Sequence, residues 1–65
     1  MSYQNALTYL AEKIQEDIAF KKDGLVNGVI DFAEYKRLCG VIQGLNAARE
    51  LILDLAKRME NDDAE

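Results

Sequence analysis

The residue types that carry most enzyme chemistry are scarce in this chain. Its 65 residues include no histidine and one cysteine, Cys39. A catalytic thiol needs a neighbouring base or an electropositive setting, and the absence of imidazole removes the usual base. A single thiol can form no disulfide within the chain and builds no structural zinc site. We therefore expect neither a metal nor a cofactor.

The acidic residues are more numerous, but their spacing does not suit hydrolysis. Two adjacent pairs occur, Glu16-Asp17 and Asp62-Asp63. Neighbouring positions on a helix point to different sides, so neither pair sets two carboxylates against one substrate bond. No glycine-rich phosphate loop follows a predicted strand either. These observations predict that the protein is not an enzyme.

Gly40 and Gly44 bracket Val41, Ile42 and Gln43 in a G-x-x-x-G arrangement. Two glycines inside a helix cost roughly 2 kcal/mol in helix propensity. The arrangement favours a close contact with another helix, either within the chain or on a partner. The competing interpretation is a pair of tolerated glycines with no contact.

Arg49 falls within the apolar side of the same helix. One interpretation is an arginine at the rim whose stem covers the core while its head reaches water. The other is an arginine that pairs with an acid on another helix and fixes their register. Glu12 lies within reach if the chain folds back on itself.

Basic residues gather around the predicted bend, at Lys21, Lys22, Lys36 and Arg37. Acidic residues are interspersed among them, and the whole chain carries a formal charge of −4. Because nucleic acid binding depends mainly on basic residues that neutralise phosphates, we interpret this region as a solvated surface.

The first predicted helix is marked by Tyr3, Leu7, Leu10, Ile14 and Ile18, which recur at intervals of four and three. This spacing places them in one stripe on a helix. Ser2 is a candidate N-cap. The chain contains no proline, and the end of the helix lies between Lys22 and Asn27. Asn27-Gly28 is the favoured stop, which gives a helix over about residues 3–26.

The second predicted helix spans about residues 32–60. Asp31 is a favoured N-cap residue, Glu34 occupies the reciprocal position of a capping box, and Ile30 and Tyr35 have the spacing of a hydrophobic staple. The residues after the cap place apolar side chains over about half of the helix circumference. Residues 61–65 form an acidic tail that is expected to fray.

Two long helices joined by a short loop predict one all-α domain over residues 1–65, an antiparallel two-helix hairpin. Pivoting near Gly28 places Ile18 opposite Val41 and Ile42, and Leu10 near Ala48. One hairpin buries a single stripe per helix, so apolar residues including Leu51 and Leu55 remain exposed. We expect self-association or a partner to complete the hairpin into a bundle.

The whole composition narrows the class of partner. Hydrophobic residues make up 49% of the chain, which is too rich for a disordered segment. The apolar runs are too short to cross a bilayer, so no membrane partner is expected. We expect a protein partner and an interface formed by a set of residues on the second helix. They are Gly40, Gly44, Ala48, Arg49, Leu51 and Leu55.

Residues 31–45 (DFAEYKRLCGVIQGL), followed by residues 52–55 (ILDL), resemble a recurring pattern in very small proteins from virion-structure gene clusters of tailed bacteriophages. The resemblance covers Gly28 to Arg58. It is carried by a tyrosine shortly after the cap and by glycines that bracket two aliphatic residues. Since that family has no defined catalytic residues, the resemblance implies a structural role in assembly. It also implies a location in the bacterial host cytoplasm or in the assembled particle.

Two other classes of function stay open. A small acidic protein of this kind could bind and inhibit a host enzyme. The layout is also similar to the plasmid copy-number hairpin that dimerises into an RNA-binding four-helix bundle, although a shared architecture does not carry function. A basic row with interleaved aromatics, which RNA binding would favour, is missing from the sequence.

Overall fold

The computed structural model describes residues 3–28 and 31–63, with side chains through residue 60. This part of the chain forms two helices, α1 (Tyr3–Asn27) and α2 (Phe32–Asp63), which contact each other. It contains no β-strand. The predicted all-α helical hairpin is therefore confirmed.

Fewer side chains of α1 are buried than its apolar pattern predicts. Ala11 and Ile18 are buried, and Leu7 and Ile14 are half-buried. Tyr3 is 81% exposed, so its predicted place in the buried stripe is wrong. The proposed cap at Ser2 lies outside the described residues.

The end of α1 lies at the asparagine–glycine step. The amide of Gly28 donates a hydrogen bond of 2.9 Å to the carbonyl oxygen of Gly24. This bond continues the helical i to i−4 pattern through Gly24. α1 therefore runs to Asn27, one of the two candidate ends that the sequence predicts.

α2 begins at the predicted cap. The amide of Glu34 donates to Oδ1 of Asp31 at 2.8 Å, and the amide of Tyr35 donates to the Asp31 carbonyl oxygen at 3.0 Å. The carboxylate of Glu34 accepts hydrogen bonds from Arg37, rather than turning back toward the cap. The predicted staple depends on Ile30, which lies outside the described residues.

α2 is the longer helix and continues through Asp63, whereas the sequence predicts an end near Glu60. The first part of the predicted frayed tail, residues 61–63, thus has helical backbone. Ala64 and Glu65 lie outside the described residues. Neither described helix is long and apolar enough to cross a membrane.

The two helices form a rod with extents of 52 × 17 × 12 Å. Gln4 Nε2 donates a hydrogen bond of 3.2 Å to Oε2 of Glu60, and this bond joins the first turn of α1 to the C-terminal part of α2. A chain of this shape has little interior, because each helix has only one neighbour.

The core is correspondingly thin. Among the described residues the buried apolar side chains are Ala11, Ile18, Ile42 and Ala56, and only Ile18 is fully buried. The sequence analysis predicts that Ile18 lies opposite Val41 and Ile42. Ile18 and Ile42 are both buried. The two alanines have short side chains, so they bring little apolar area to the core.

Candidate protein-binding surface

Large apolar side chains lie mainly on the surface of this hairpin. Leu51 is 71% exposed and Leu55 is 49% exposed. The exposed large apolar residues of the described chain are Tyr3, Tyr9, Leu10, Phe20, Val26, Phe32, Tyr35, Leu51, Leu53 and Leu55. Single exposed apolar residues are ordinary, whereas a contiguous set marks an interaction site. The question is which of them form one surface.

One contiguous set lies along the outer side of α2. At about 100° per residue, six small or apolar residues share an arc of about 100°. We call this surface the outer stripe: Gly40, Gly44, Ala47, Ala48, Leu51 and Leu55. All six residues are exposed. The glycines and alanines occupy its N-terminal part, and the leucines occupy its C-terminal part.

The glycines of the outer stripe face open space. A Cβ atom built on Gly40 or on Gly44 would meet nothing within 4 Å. The predicted close helix–helix contact at these glycines therefore does not occur within the hairpin. A contact with a partner and a pair of tolerated glycines are the two interpretations that remain.

Arg49 lies away from the outer stripe. It is half-buried on the side of α2 that faces α1, about 140° around the helix from Gly44. Its Nη2 donates to Oδ1 of Asn46 at 3.4 Å, and its Nε is buried without a hydrogen-bond partner. The alternative ion pair with Glu12 is not formed. Arg49 thus belongs to the helix–helix junction and not to a surface shared with the glycines.

Arg49 and Glu12 nevertheless border the same open cavity, which has a volume of about 300 Å³. The cavity is lined by Thr8, Ala11, Glu12, Gln15, Arg49 and Leu53. Four of these residues have polar or charged side chains, yet the surface that they and their neighbours present to the cavity is mainly apolar.

Three of the four basic residues near the bend have contacts within the chain. Lys21 Nζ lies 2.9 Å from Oδ1 of Asp17, and Arg37 pairs with Glu34. The hydrogen bonds from Arg37 lower the pKa of the Glu34 carboxyl group below its ordinary value. Lys36 Nζ lies 5.5 Å from the ring centroid of Phe32. These contacts fit a solvated surface with balanced charge.

Leu10 is a candidate surface residue that the sequence analysis missed. The predicted register places it in the core beside Ala48, but Leu10 is 47% exposed and Ala48 is also exposed. The sequence did hint at this exposure, because Leu10 lies about 80° around the helix from Ile18, at the edge of the apolar stripe. Leu10 is therefore an exposed apolar residue of α1 and not part of the core.

Metal-ligating side chains do not cluster in the described ranges. Cys39 is half-buried. Within residues 3–28 and 31–60, no group of three or more His, Cys, Asp or Glu side chains could hold a metal ion. The main feature of this part of the chain is the exposed apolar surface on α2.

Comparison with known proteins provides no relative on which to base an assignment. No protein-family model, no curated protein and no solved structure matches this chain.

Proposed function

We propose that this chain is a non-catalytic structural protein that packs the outer stripe against other protein. One observation carries the proposal: among the residues that the structure describes, a single large side chain, Ile18, is fully buried, and Leu51 is 71% exposed. Covering exposed apolar surface is the main driving force of protein association. A partner would supply the burial that the hairpin lacks.

The proposal includes an antiparallel arrangement of α1 and α2, completed into a helical bundle by the bound partner. The hydrogen bond between Gln4 and Glu60 supports this direction, since it joins residues from opposite ends of the chain. The narrow core supports the need for completion. A bundle helix normally buries a stripe against more than one neighbour.

Burial of the two leucines would supply part of the free energy that binding requires. Complete burial of an exposed leucine side chain is worth about 2 kcal/mol. Leu51 and Leu55 together would contribute about 2.4 kcal/mol after allowance for the part that is already covered. The glycines and alanines beside them let a partner backbone approach closely, which adds dispersion contacts.

A larger assembly is the setting that we propose for this role. The resemblance of residues 31–45 and 52–55 to small proteins of tailed-phage virion clusters supports a bacteriophage particle. Under this proposal the chain resides in the host cytoplasm before assembly and in the particle afterwards. In that setting the outer stripe would face the assembly.

The proposal is tested with the double variant Leu51→Gln/Leu55→Gln of the full chain. At concentrations low enough to keep the chain monomeric, we expect the wild type to bind an environment-sensitive hydrophobic dye, and the variant to lose most of that fluorescence. Its helicity by circular dichroism should be unchanged, because both leucines are exposed in the hairpin.

The matched control is Leu38→Gln/Leu45→Gln, which makes the same chemical change at half-buried positions of the same helix. This control should lose helicity. If the wild-type chain binds no dye and is stably folded at high dilution, its apolar surface is not available for a partner and the proposal is wrong.

A further inference from the structure

The size of the residues along the outer stripe changes in such a way that two copies running in opposite directions fit each other. Reading along α2, its residues are small at Gly40 and Gly44, small again at Ala47 and Ala48, and large at the two leucines. A second stripe in the opposite direction presents large residues where the first presents small ones. Such a surface is complementary to itself about a two-fold axis.

We infer that the partner of the outer stripe is a second copy of this chain, with the two α2 helices antiparallel about an axis between Ala47 and Ala48. This inference rests on the proposed function and specifies its partner. In this register Gly40 faces the partner's Leu55, and Gly44 faces the partner's Leu51. Each leucine enters the space above a glycine, where a Cβ would meet nothing within 4 Å in the free hairpin.

The opposite direction is disfavoured by the same side chains. A parallel pair in register would place glycine against glycine in one half and leucine against leucine in the other. The first half would leave voids between the helices or force them together, while the second half would hold them apart. Since close packing without voids accounts for much of interface stability, the antiparallel pair is favoured.

The ends of the outer stripe are compatible with this register. Arg37 and Arg58 flank the stripe, so the inferred dimer brings Arg37 near the partner's Arg58. Each arginine already has an acidic neighbour on its own helix. Arg37 pairs with Glu34, and Arg58 Nε lies 3.0 Å from Oδ2 of Asp54. Two ion pairs therefore meet at each end, rather than two unpaired cations.

The hairpin exposes more surface than a compact protein of its mass. A compact protein of 7.3 kDa exposes about 4,200 Å² according to the scaling of surface with mass. This chain exposes 5119 Å². The excess of about 900 Å² belongs to the whole rod, and it leaves room for the roughly 800 Å² per partner that a standard specific interface buries.

The first test compares Gly44→Leu with Gln43→Leu in sedimentation equilibrium of the full chain. The wild type should reach twice the chain mass as concentration rises. Gly44→Leu fills the space for the partner's Leu51 and should raise the dimer dissociation constant about tenfold or more. Its helicity should hold or rise, because leucine replaces a glycine in the helix. Gln43→Leu adds a leucine outside the outer stripe and should leave the dimer intact.

The second test fixes the direction of the helices and does not depend on Gly44→Leu folding normally. In a Cys39→Ala background, the double variant Gly44→Cys/Leu51→Cys should form a disulfide-linked dimer on mild oxidation, whereas Gly44→Cys alone should stay unlinked. The two positions of one chain are about 10 Å apart along the helix, too far for a bridge within the chain. Efficient linkage through Gly44→Cys alone indicates a parallel pair and overturns the inference.

The outcomes separate this inference from the proposed function. A wild-type chain that stays monomeric at every concentration overturns the dimer. If that monomer still binds the hydrophobic dye through Leu51 and Leu55, the proposed function stands with a different protein as partner. If it binds no dye, both fail. An oligomer whose mass is unaffected by Gly44→Leu also overturns the dimer, because its contact lies elsewhere.

Discussion

Asp31 stabilises the start of α2 through its side chain and its main chain. Its Oδ1 accepts a hydrogen bond from the amide of Glu34, and its carbonyl oxygen accepts one from Tyr35. The first amides of a helix have no partner within the helix, so the bond from Glu34 satisfies a group that would otherwise depend on water. The bond from Tyr35 is the first i to i−4 bond of the helix itself. The negative charge also interacts favourably with the N-terminal end of the helix dipole.

Asp31→Ala should lower the free energy of unfolding by about 1 kcal/mol, because the amide of Glu34 loses its acceptor. Urea denaturation followed by circular dichroism measures the change. Asp31→Ser is the matched control, since serine retains an oxygen that can cap the helix, and its stability should stay near that of the wild type. Equal losses in both variants would contradict a capping role.

Features of single residues could be predicted from the sequence where they depend on neighbours within the same helix. They could not be predicted where they depend on how the other helix is placed. The cap at Asp31 follows from residue type and spacing within one turn. The pairing of Arg49 with Glu12 depends on how far each helix rotates about its axis, and a small rotation moves a long side chain to another neighbour. In the structure Arg49 bonds to Asn46 of its own helix.

At the scale of the helices, small residues lie in two different environments, inside the hairpin and on its exposed surface. Ala11 and Ala56 are buried, so they are the small residues that lie within the hairpin. Gly40 and Gly44 are exposed and do not contribute to the contact between α1 and α2. Periodicity predicted the two helices and placed their ends within a few residues. It could not assign small residues to the inner or the outer side, because they add little to a hydrophobic pattern.

Gly24→Ala should stabilise α1 by about 0.5–1 kcal/mol. Gly24 lies inside the helix, and a Cβ there would meet nothing within 4 Å. Alanine restricts the unfolded chain and fits the helix without a clash. The measurement is the unfolding free energy from urea denaturation, and Ala19→Gly, at an exposed position of the same helix, should change it by a similar amount in the opposite direction. A loss of stability in Gly24→Ala would indicate a contact at this glycine.

At the scale of the whole molecule, the proposed association would link folding to binding, because the core is thin and much apolar surface is exposed. A single domain of this size commonly has only about 3–5 kcal/mol of stability from its core. A ligand or second copy that binds only the folded chain adds to the measured stability in proportion to the logarithm of its concentration. The stability of this chain should therefore rise with protein concentration.

Ile18→Ala and Leu51→Ala separate the two contributions. Ile18 is fully buried, so its truncation should cost about 2–4 kcal/mol at any protein concentration and leave much of the dilute chain unfolded. Leu51 is 71% exposed, so its truncation should change the unfolding free energy of the dilute chain by no more than about 0.5 kcal/mol. At high concentration Leu51→Ala should lack most of the extra stability that the wild type gains on association. Urea denaturation at low and high protein concentration measures the unfolding free energy of the wild type and both variants. If the midpoint of the wild type is the same at both concentrations, folding is independent of self-association.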